Sequence, residues 1–318
     1  MTPIFDTPIV FLIFNRPDCT EKVFAEIRRV RPHKLLVVAD GPRTNRPDDV
    51  EHVRLVRQII DQGVDWPCEV EKNYAEENMG CRNRVSSGLT WVFGRAEEAI
   101  ILEDDCLPSP GFFSYCAELL ARFRTDTSIM AIGGCNSGFA PPNADYSYSF
   151  FRLPHVWGWA TWRRAWAHYD VNMASWPDFR DRQLIYDALP HPAVAGAWQR
   201  ILEDSWNGQT DSWDFQWCYA VLKQNGLCVS PSRNLVTNIG FNAQATHTKD
   251  STNRFGSLPL ESMDFPLKHD PYFVPDVRRE LRMLRDVFAP SLVSRIRRKV
   301  KRLAKSFART MSCNFHRA

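Results

Sequence analysis

The sequence predicts an α/β protein, a mainly parallel Rossmann-like sheet flanked by helices. Three observations predict it. Apolar runs of strand length recur through the first 135 residues, amphipathic helix patterns separate them, and polar or acidic clusters close the runs. A strand covered on both faces reads as a continuous apolar run, which is the pattern of a parallel sheet.

The first run, IVFLIF at 9–14, precedes a helix expected to be capped at Asp18 or Thr20. KLLVVA at 34–39 gives the second strand, ending at Asp40-Gly41-Pro42. A helix pattern over 48–62, a strand near 68–72 and a helix over 80–93 follow. The strand AIIL at 99–102 then ends at Glu103-Asp104-Asp105. From about Tyr146 the texture changes to aromatic, glycine-rich loops, with HVWGWATW at 155–162. Helices are expected around 179–189, 192–206 and 214–224, with short strands near Leu227 and Leu235. A proline-containing stretch covers 249–275, a helix pattern begins near Asp276, and a basic helix pattern spans 291–308.

The 318 residues are 44% hydrophobic, 12% aromatic and 24% charged, which excludes a mainly disordered or collagen-like chain. The net charge of +3 conceals an asymmetry: the segment from Ser291 onward holds nine Lys/Arg and no Asp or Glu. Taking those nine from the 40 basic residues leaves residues 1–290 with 31 against 37 acidic groups, a net of −6. An acidic body argues against nucleic acid as a partner, because that footprint belongs on the folded surface. In the tail, Leu292, Val293, Ile296, Val300, Leu303, Ala304 and Phe307 recur at helical spacing among the basic residues. That pattern fits a helix lying on an anionic membrane surface, or one packed on the acidic body. Nine cysteines without a CxxC pair read as reduced, mostly buried thiols. The apolar run at 8–14 is too short for a membrane span and lacks signal-peptide flanks. The expectation is a cytoplasmic protein, peripheral on the inner face of the cell membrane through its tail.

In open α/β sheets ligands bind beyond the carboxyl ends of the strands. Asn15-Arg16, Asp40-Gly41 and Glu103-Asp104-Asp105 all fall there. Three consecutive carboxylates repel one another and call for a cation, and Mg²⁺ or Mn²⁺ is commonly held by one or two carboxylates plus substrate phosphates. A solvated turn capping the next helix is the plainer alternative. Arg16 can pair with phosphate and Asp40 can accept from a base or ribose, although each also suits an ordinary turn. Arg82, in NMGCR before a helix, lies where anions bind well. Asp214, framed by Trp213 and Trp217, suits a general base, and it equally suits a helix start; Asp211 is close enough to compete. No GxGxxG follows the first strand and no GxxxxGK[ST] occurs.

Taken in order, PIVFLIFNRPD, VVADG, NMGCR, IILEDDCLPSPGFFSYC, GWATWRRAW and WDFQW…SPSRNLVTNIGF resemble the GT-A-fold glycosyltransferases. The resemblance is to bacterial sugar-nucleotide transferases and to the N-acetylglucosaminyltransferase I type, and it runs from about Pro8 to His247. It implies a GT-A domain over 1–248, with a nucleotide half to about 135 and an acceptor half after it. A loop and helix extension over 249–290 and the basic tail over 291–318 follow. It further implies a nucleotide-sugar donor, in particular a UDP-sugar, a Mn²⁺ or Mg²⁺ cofactor, and inverting transfer to a hydroxyl. The acceptor is then a glycan or lipid-linked molecule of cell-surface polysaccharide synthesis. By the same resemblance Asp105 and His247 ligate the metal, Asp104 faces the ribose or the metal shell, Arg16 and Asp40 contact the nucleotide, and Asp214 is the base. Trp157, Trp159 and Trp162 are expected to shape the acceptor side. The rival readings are a sugar-phosphate nucleotidyltransferase, which should carry a glycine-rich loop where this chain has FNRPDC, and a non-catalytic binding protein.

Overall fold

The computed structural model describes residues 5–139, 145–189, 191–240 and 258–287. Strands β1 (Ile9–Ile13), β2 (Lys34–Ala39), β3 (Glu69–Tyr74) and β4 (Glu98–Glu103) are mutually parallel. The helices between them are α1 (Pro17–Val30), α2 (Asp48–Gly63) and α3 (Gly80–Phe93). Alternate residues of a strand face opposite sides of its sheet, so β1 feeds two cores. Ile9, Phe11 and Ile13 pack with α1 and α2 through Val23, Phe24, Val56 and Ile60, whereas Val10 and Leu12 pack with α3 through Val85 and Leu89. Helix α1 starts with Pro17 at its first position, where a missing N–H costs nothing. The expected side-chain cap is not made: the Thr20 hydroxyl donates to the Arg16 carbonyl at 2.8 Å.

The second half adds β5 (Cys106–Pro108), α4 (Pro110–Arg122), β6 (Ile129–Gly133), β7 (Tyr148–Phe151) and β8 (Trp159–Trp162). Helices α5 (Arg163–Trp166), α6 (Trp176–Asp181), α7 (Leu184–Ala188), α8 (Pro192–Trp206) and α9 (Asp214–Lys223) follow, then β9 (Leu227–Pro231), β10 (Val236–Asn238) and α10 (Val277–Val287). The eight-stranded sheet has the order β3-β2-β1-β4-β8-β6-β9-β7, with β8 and β7 antiparallel to their neighbours. A separate ribbon pairs β10 antiparallel with β5. Helices α6 to α9, with Met283 and Leu284 of α10, enclose a third core.

The segment expected to form aromatic loops at 155–162 contains an interior strand instead. In β8 the run WATW is buried from end to end between β4 and β6, because bulky aromatics fit a doubly covered strand. The cysteines of the described residues are free thiols, and no helix among those residues is long and apolar enough to cross a membrane.

Candidate active site

The carboxyl ends of β1, β2 and β4 open into a crevice with a cavity of about 210 Å³. Phe14, Arg16, Asp40, Arg43, Asn78, Arg84, Glu103, Asp104, Asp105 and Asp211 all line it. The three strand-end clusters singled out in the sequence therefore meet in one place.

Parallel pairing puts Leu12 of β1 beside Glu103 of β4, so the acidic triplet begins next to the exit of β1. The Phe14 amide donates to Asp104 Oδ2 at 3.0 Å. Arg16 reaches back from the start of α1, with Nη1 2.5 Å from Asp105 Oδ2 and 4.0 Å from Asp104 Oδ1. Burial first, and the neighbouring carboxylates second, push Glu103 and Asp104 well above the usual carboxylate range. One guanidinium faces three acids, so the crowded carboxyls hold their protons more tightly, and a further cation would favour their ionised forms. The triplet does not cap the next helix: β5 intervenes, and α4 begins after Ser109.

Residues 238–240 complete this corner. Pairing of β10 with β5 sets Asn238 opposite Cys106, and Asn238 Nδ2 donates to Asp105 Oδ1 at 3.2 Å. The Ile239 amide donates to the Asp105 carbonyl at 2.8 Å. Gly240 packs so closely that a Cβ there would lie 2.6 Å from Arg16 Nη1 and collide with Asp105 Oδ2. In the sequence this corner is the NIG run near the end of SPSRNLVTNIGF.

Asp40 ends β2 as a clamp. Its Oδ1 accepts from the amides of Gly41 and Met79, both at 2.9 Å, and its Oδ2 accepts from Asn78 Nδ2 at 3.0 Å. Burial raises its pKa, and those donors pull the other way. Gly41 is obligatory, since a Cβ would run into the Glu77 backbone. Behind it, Arg84 Nε donates to the Ala39 carbonyl at 3.0 Å. On the other wall Asp49 grips Arg43 through two bonds of 2.6 and 2.9 Å and accepts from Asn15 Nδ2 at 2.7 Å. The Arg43 guanidinium sits 5.3 Å from the centroid of the Phe14 ring.

Arg82 is not among the residues lining the crevice. Its Nη2 donates to the Val171 carbonyl at 2.6 Å and its Nη1 to the Ser205 carbonyl at 3.4 Å, tying α3 to the second half of the chain. Arg43 and Arg84 are the arginines that line the crevice beside Arg16. Asp211 accepts from the amides of Cys81 at 3.1 Å and Arg82 at 2.9 Å, so both its oxygens cap α3. Asp214, at the first position of α9, is half-buried, accepts from the Ser212 hydroxyl and adds to the charge that raises Glu103.

The tryptophans need correcting. Trp159 and Trp162 are 0% and 2% exposed, one in each of the two cores flanking the sheet, so neither offers a face to an acceptor. Trp159 stacks on Trp213 at 5.5 Å and lies 5.6 Å from Trp217, forming a buried aromatic pile behind the start of α9. Trp157 keeps some exposed surface. His247 lies outside the described residues.

Among the described residues no group of three or more His, Cys, Asp or Glu side chains is disposed to hold a metal. Asp104 and Asp105 nevertheless fit an oxygen-seeking divalent ion shared with substrate phosphates, which needs only one or two carboxylates. Both offer carboxyl oxygens, and Arg16 beside Asp105 already marks the place as one for a cation.

No protein-family model matches the sequence, and no curated protein matches it. Solved structures similar to this chain include a mannosyltransferase, PcManGT from Pyrobaculum calidifontis, in complex with GDP-Man and Mn²⁺. It is 13% identical over 70% of each chain, with a TM-score of 0.37. A UDP-glucose pyrophosphorylase complexed with UDP-glucose is 9% identical over 71% of this chain and 90% of its own, with a TM-score of 0.35. TarS from S. aureus, residues 1–349, is 10% identical over 55% of this chain and 49% of its own, with a TM-score of 0.33.

Proposed function

We propose that this protein is a GT-A-type inverting glycosyltransferase that moves a sugar from a nucleotide-diphosphate donor, a UDP-sugar in the first instance, to a hydroxyl of a glycan or lipid-linked acceptor. The observation that carries the reading is the convergence of Arg16, Asp40 and the acidic triplet at the carboxyl ends of β1, β2 and β4. Asp40, Arg43 and Phe14 form the nucleotide wall, and Arg16 with Asp104 and Asp105 forms the diphosphate end. Asp105, with Asp104 beside it, would hold a Mn²⁺ or Mg²⁺, and that ion would supply positive charge to the departing diphosphate.

The acceptor oxygen attacks the anomeric carbon from the side opposite the diphosphate. The new C–O bond forms as the bond to the diphosphate oxygen breaks, and that electron pair leaves on the nucleoside diphosphate. Asp214 takes the hydroxyl proton. Capping favours Asp214 over Asp211 for this role, because both oxygens of Asp211 are held by backbone amides of α3. The basic tail at 291–318, outside the described residues, holds the enzyme at an anionic membrane where a lipid-linked acceptor resides.

Incubation with a panel of UDP- and GDP-sugars, with and without Mn²⁺, tests the reading. Release of the nucleoside diphosphate is the expected product. Formation of a nucleoside triphosphate and sugar 1-phosphate on adding pyrophosphate would assign nucleotidyl transfer instead, and no turnover of any donor would remove the enzyme reading.

A further inference from the structure

The face presented by α10 and the turn before it is charged and apolar in a way the crevice does not need. Within α10 the acidic Glu280 points inward: its carboxylate accepts from the Arg152 amide at 2.6 Å and from Arg152 Nη1 at 2.7 Å. Arg279 also points inward, donating to the Phe139 carbonyl and to the Ser149 hydroxyl, the latter at 2.6 Å. Met283 and Leu284 close the third core. The exposed side chains left among the described residues of α10 are Arg278, Arg282 and Arg285. Spacings of four and seven residues place them within about 60° of arc at 3.6 residues per turn. None of the three is in an ion pair among the described residues. Like charges four apart on a helix repel, so this stripe destabilises α10 unless something anionic faces it.

The chain just before the helix carries the second feature. Tyr272 and Val274 are 71% and 69% exposed, while Phe273 between them is packed 5.3 Å from the Phe150 ring and 5.8 Å from the Phe123 ring. Phe273, although 43% exposed, therefore ties the turn to Phe150 of β7 and to Phe123 just after α4, while its two neighbours project further. The acidic residues flanking this turn are already engaged. Asp270 Oδ1 accepts from the Tyr272 amide at 2.9 Å, and Asp276 Oδ1 accepts from the Arg279 amide at 3.1 Å.

We infer that the Arg278–Arg282–Arg285 stripe, with Tyr272 and Val274 at its head, is a docking surface on the folded body for an anionic lipid bilayer. Arginines meet the headgroups, and the exposed apolar pair enters the acyl boundary. A projecting aliphatic such as Val274 suits lipid better than nucleic acid. The tail that follows α10 in the chain continues the same sign of charge. The inference rests on the reading that this enzyme works at a membrane, and it moves the start of the attachment from the tail into the folded body.

The test is co-sedimentation of the full chain with phosphatidylcholine vesicles, with and without phosphatidylglycerol, comparing three sets of substitutions. Near-ultraviolet circular dichroism of each variant confirms that it is folded. The triple change Arg278→Gln, Arg282→Gln and Arg285→Gln should weaken binding to the anionic vesicles roughly 100-fold, at about a factor of five per arginine. Tyr272→Ser with Val274→Ser should weaken it severalfold, and the loss should persist in high salt, where charge attraction is screened. The third set neutralises Arg297, Arg298, Lys299, Lys301 and Arg302 in the tail. If the tail set abolishes binding while both body sets bind like the wild type, the tail reading stands and the α10 surface is wrong. If the triple arginine variant alone loses binding, the α10 surface stands and the tail reading falls. Wild-type preference for duplex DNA over anionic vesicles, or no vesicle binding at all, overturns the inference.

Discussion

Arg16 is the cation at the acidic corner, so replacing it by methionine removes positive charge while keeping much of the side-chain volume. In the native protein its Nη1 lies 2.5 Å from Asp105 and 4.0 Å from Asp104, with the three side chains 10–17% exposed. At an effective dielectric of 20, unit charges 4 Å apart interact by about 4 kcal/mol. Desolvation of the partners and residual water cancel part of this, leaving about 2 kcal/mol for the loss. For a chain of 318 residues that corresponds to a Tm lower by about 3 °C. The loss should depend on pH. Asp104 and Glu103 already have pKa values raised by burial and by their neighbours, and removing Arg16 raises them further. A carboxyl whose pKa is higher folded than unfolded supports stability in its protonated form, and this support disappears as pH rises through the folded value. The Tm deficit of Arg16→Met should therefore be largest near about pH 8 and shrink toward about pH 5, where the acids take up protons. Differential scanning fluorimetry at both pH values, repeated with Mn²⁺, reads this out. Added Mn²⁺ should raise Tm more in the variant than in the wild type at the higher pH. An equal deficit at both pH values would refute the charge argument and leave only lost packing.

Asp105→Asn should abolish the Mn²⁺-dependent part of nucleotide-sugar binding measured by calorimetry, with the fold intact by circular dichroism. Asp214→Asn should lower the transfer rate by about 10²–10⁴-fold with donor affinity nearly unchanged, as loss of a general base does. Asp211→Ala removes a helix cap and should cost about 1 kcal/mol of stability. Kinetics with Asp211→Ala far more impaired than Asp214→Asn would exchange their roles. Gly240→Ala forces a methyl into the Arg16–Asp105 pair, so it should reduce Tm by an amount corresponding to about 1–3 kcal/mol, the usual cost of overpacking. A Tm equal to that of the wild type would mean that residue 240 does not press on the pair.

The parallel half of the fold was legible in the sequence because its strands are apolar throughout and its helices are amphipathic. The helix expected at 80–93 is α3 with the same bounds, and the runs at 34–39 and 192–206 likewise coincide with β2 and α8. The antiparallel part was harder to read. WATW at 159–162 is too short and too rich in tryptophan to announce itself as a strand, and its place between β4 and β6 depends on partners far away in sequence. Tryptophans beside glycine looked like exposed platforms, whereas the doubly covered position makes them core. The site divides in the same way. Carboxylates at strand ends could be found from local pattern alone, because strand direction brings them together. Which partner each charged group takes could not: Arg82 and Asp211 bond to backbone groups across the two halves of the chain, whereas Arg43 pairs with the Asp49 side chain and Asp214 accepts from the Ser212 hydroxyl.

That dependence bears on how the crevice is assembled. Arg82 donates to carbonyls at Val171 and Ser205, and Asp211 accepts from amides at the start of α3, so the two halves exchange both kinds of bond across one seam. The seam runs from Asp211 to Asp214, three residues apart on the same turn into α9. The bonds of Asp211 to α3 thus anchor the turn that leads to Asp214, while the Trp159–Trp213–Trp217 pile holds the other side of that turn. A carboxylate placed by a cap and a buried aromatic stack has little freedom to drift. The base role proposed for Asp214 calls for such restraint, since misplacement of a reacting group by about 1 Å can cost on the order of 10²-fold in rate.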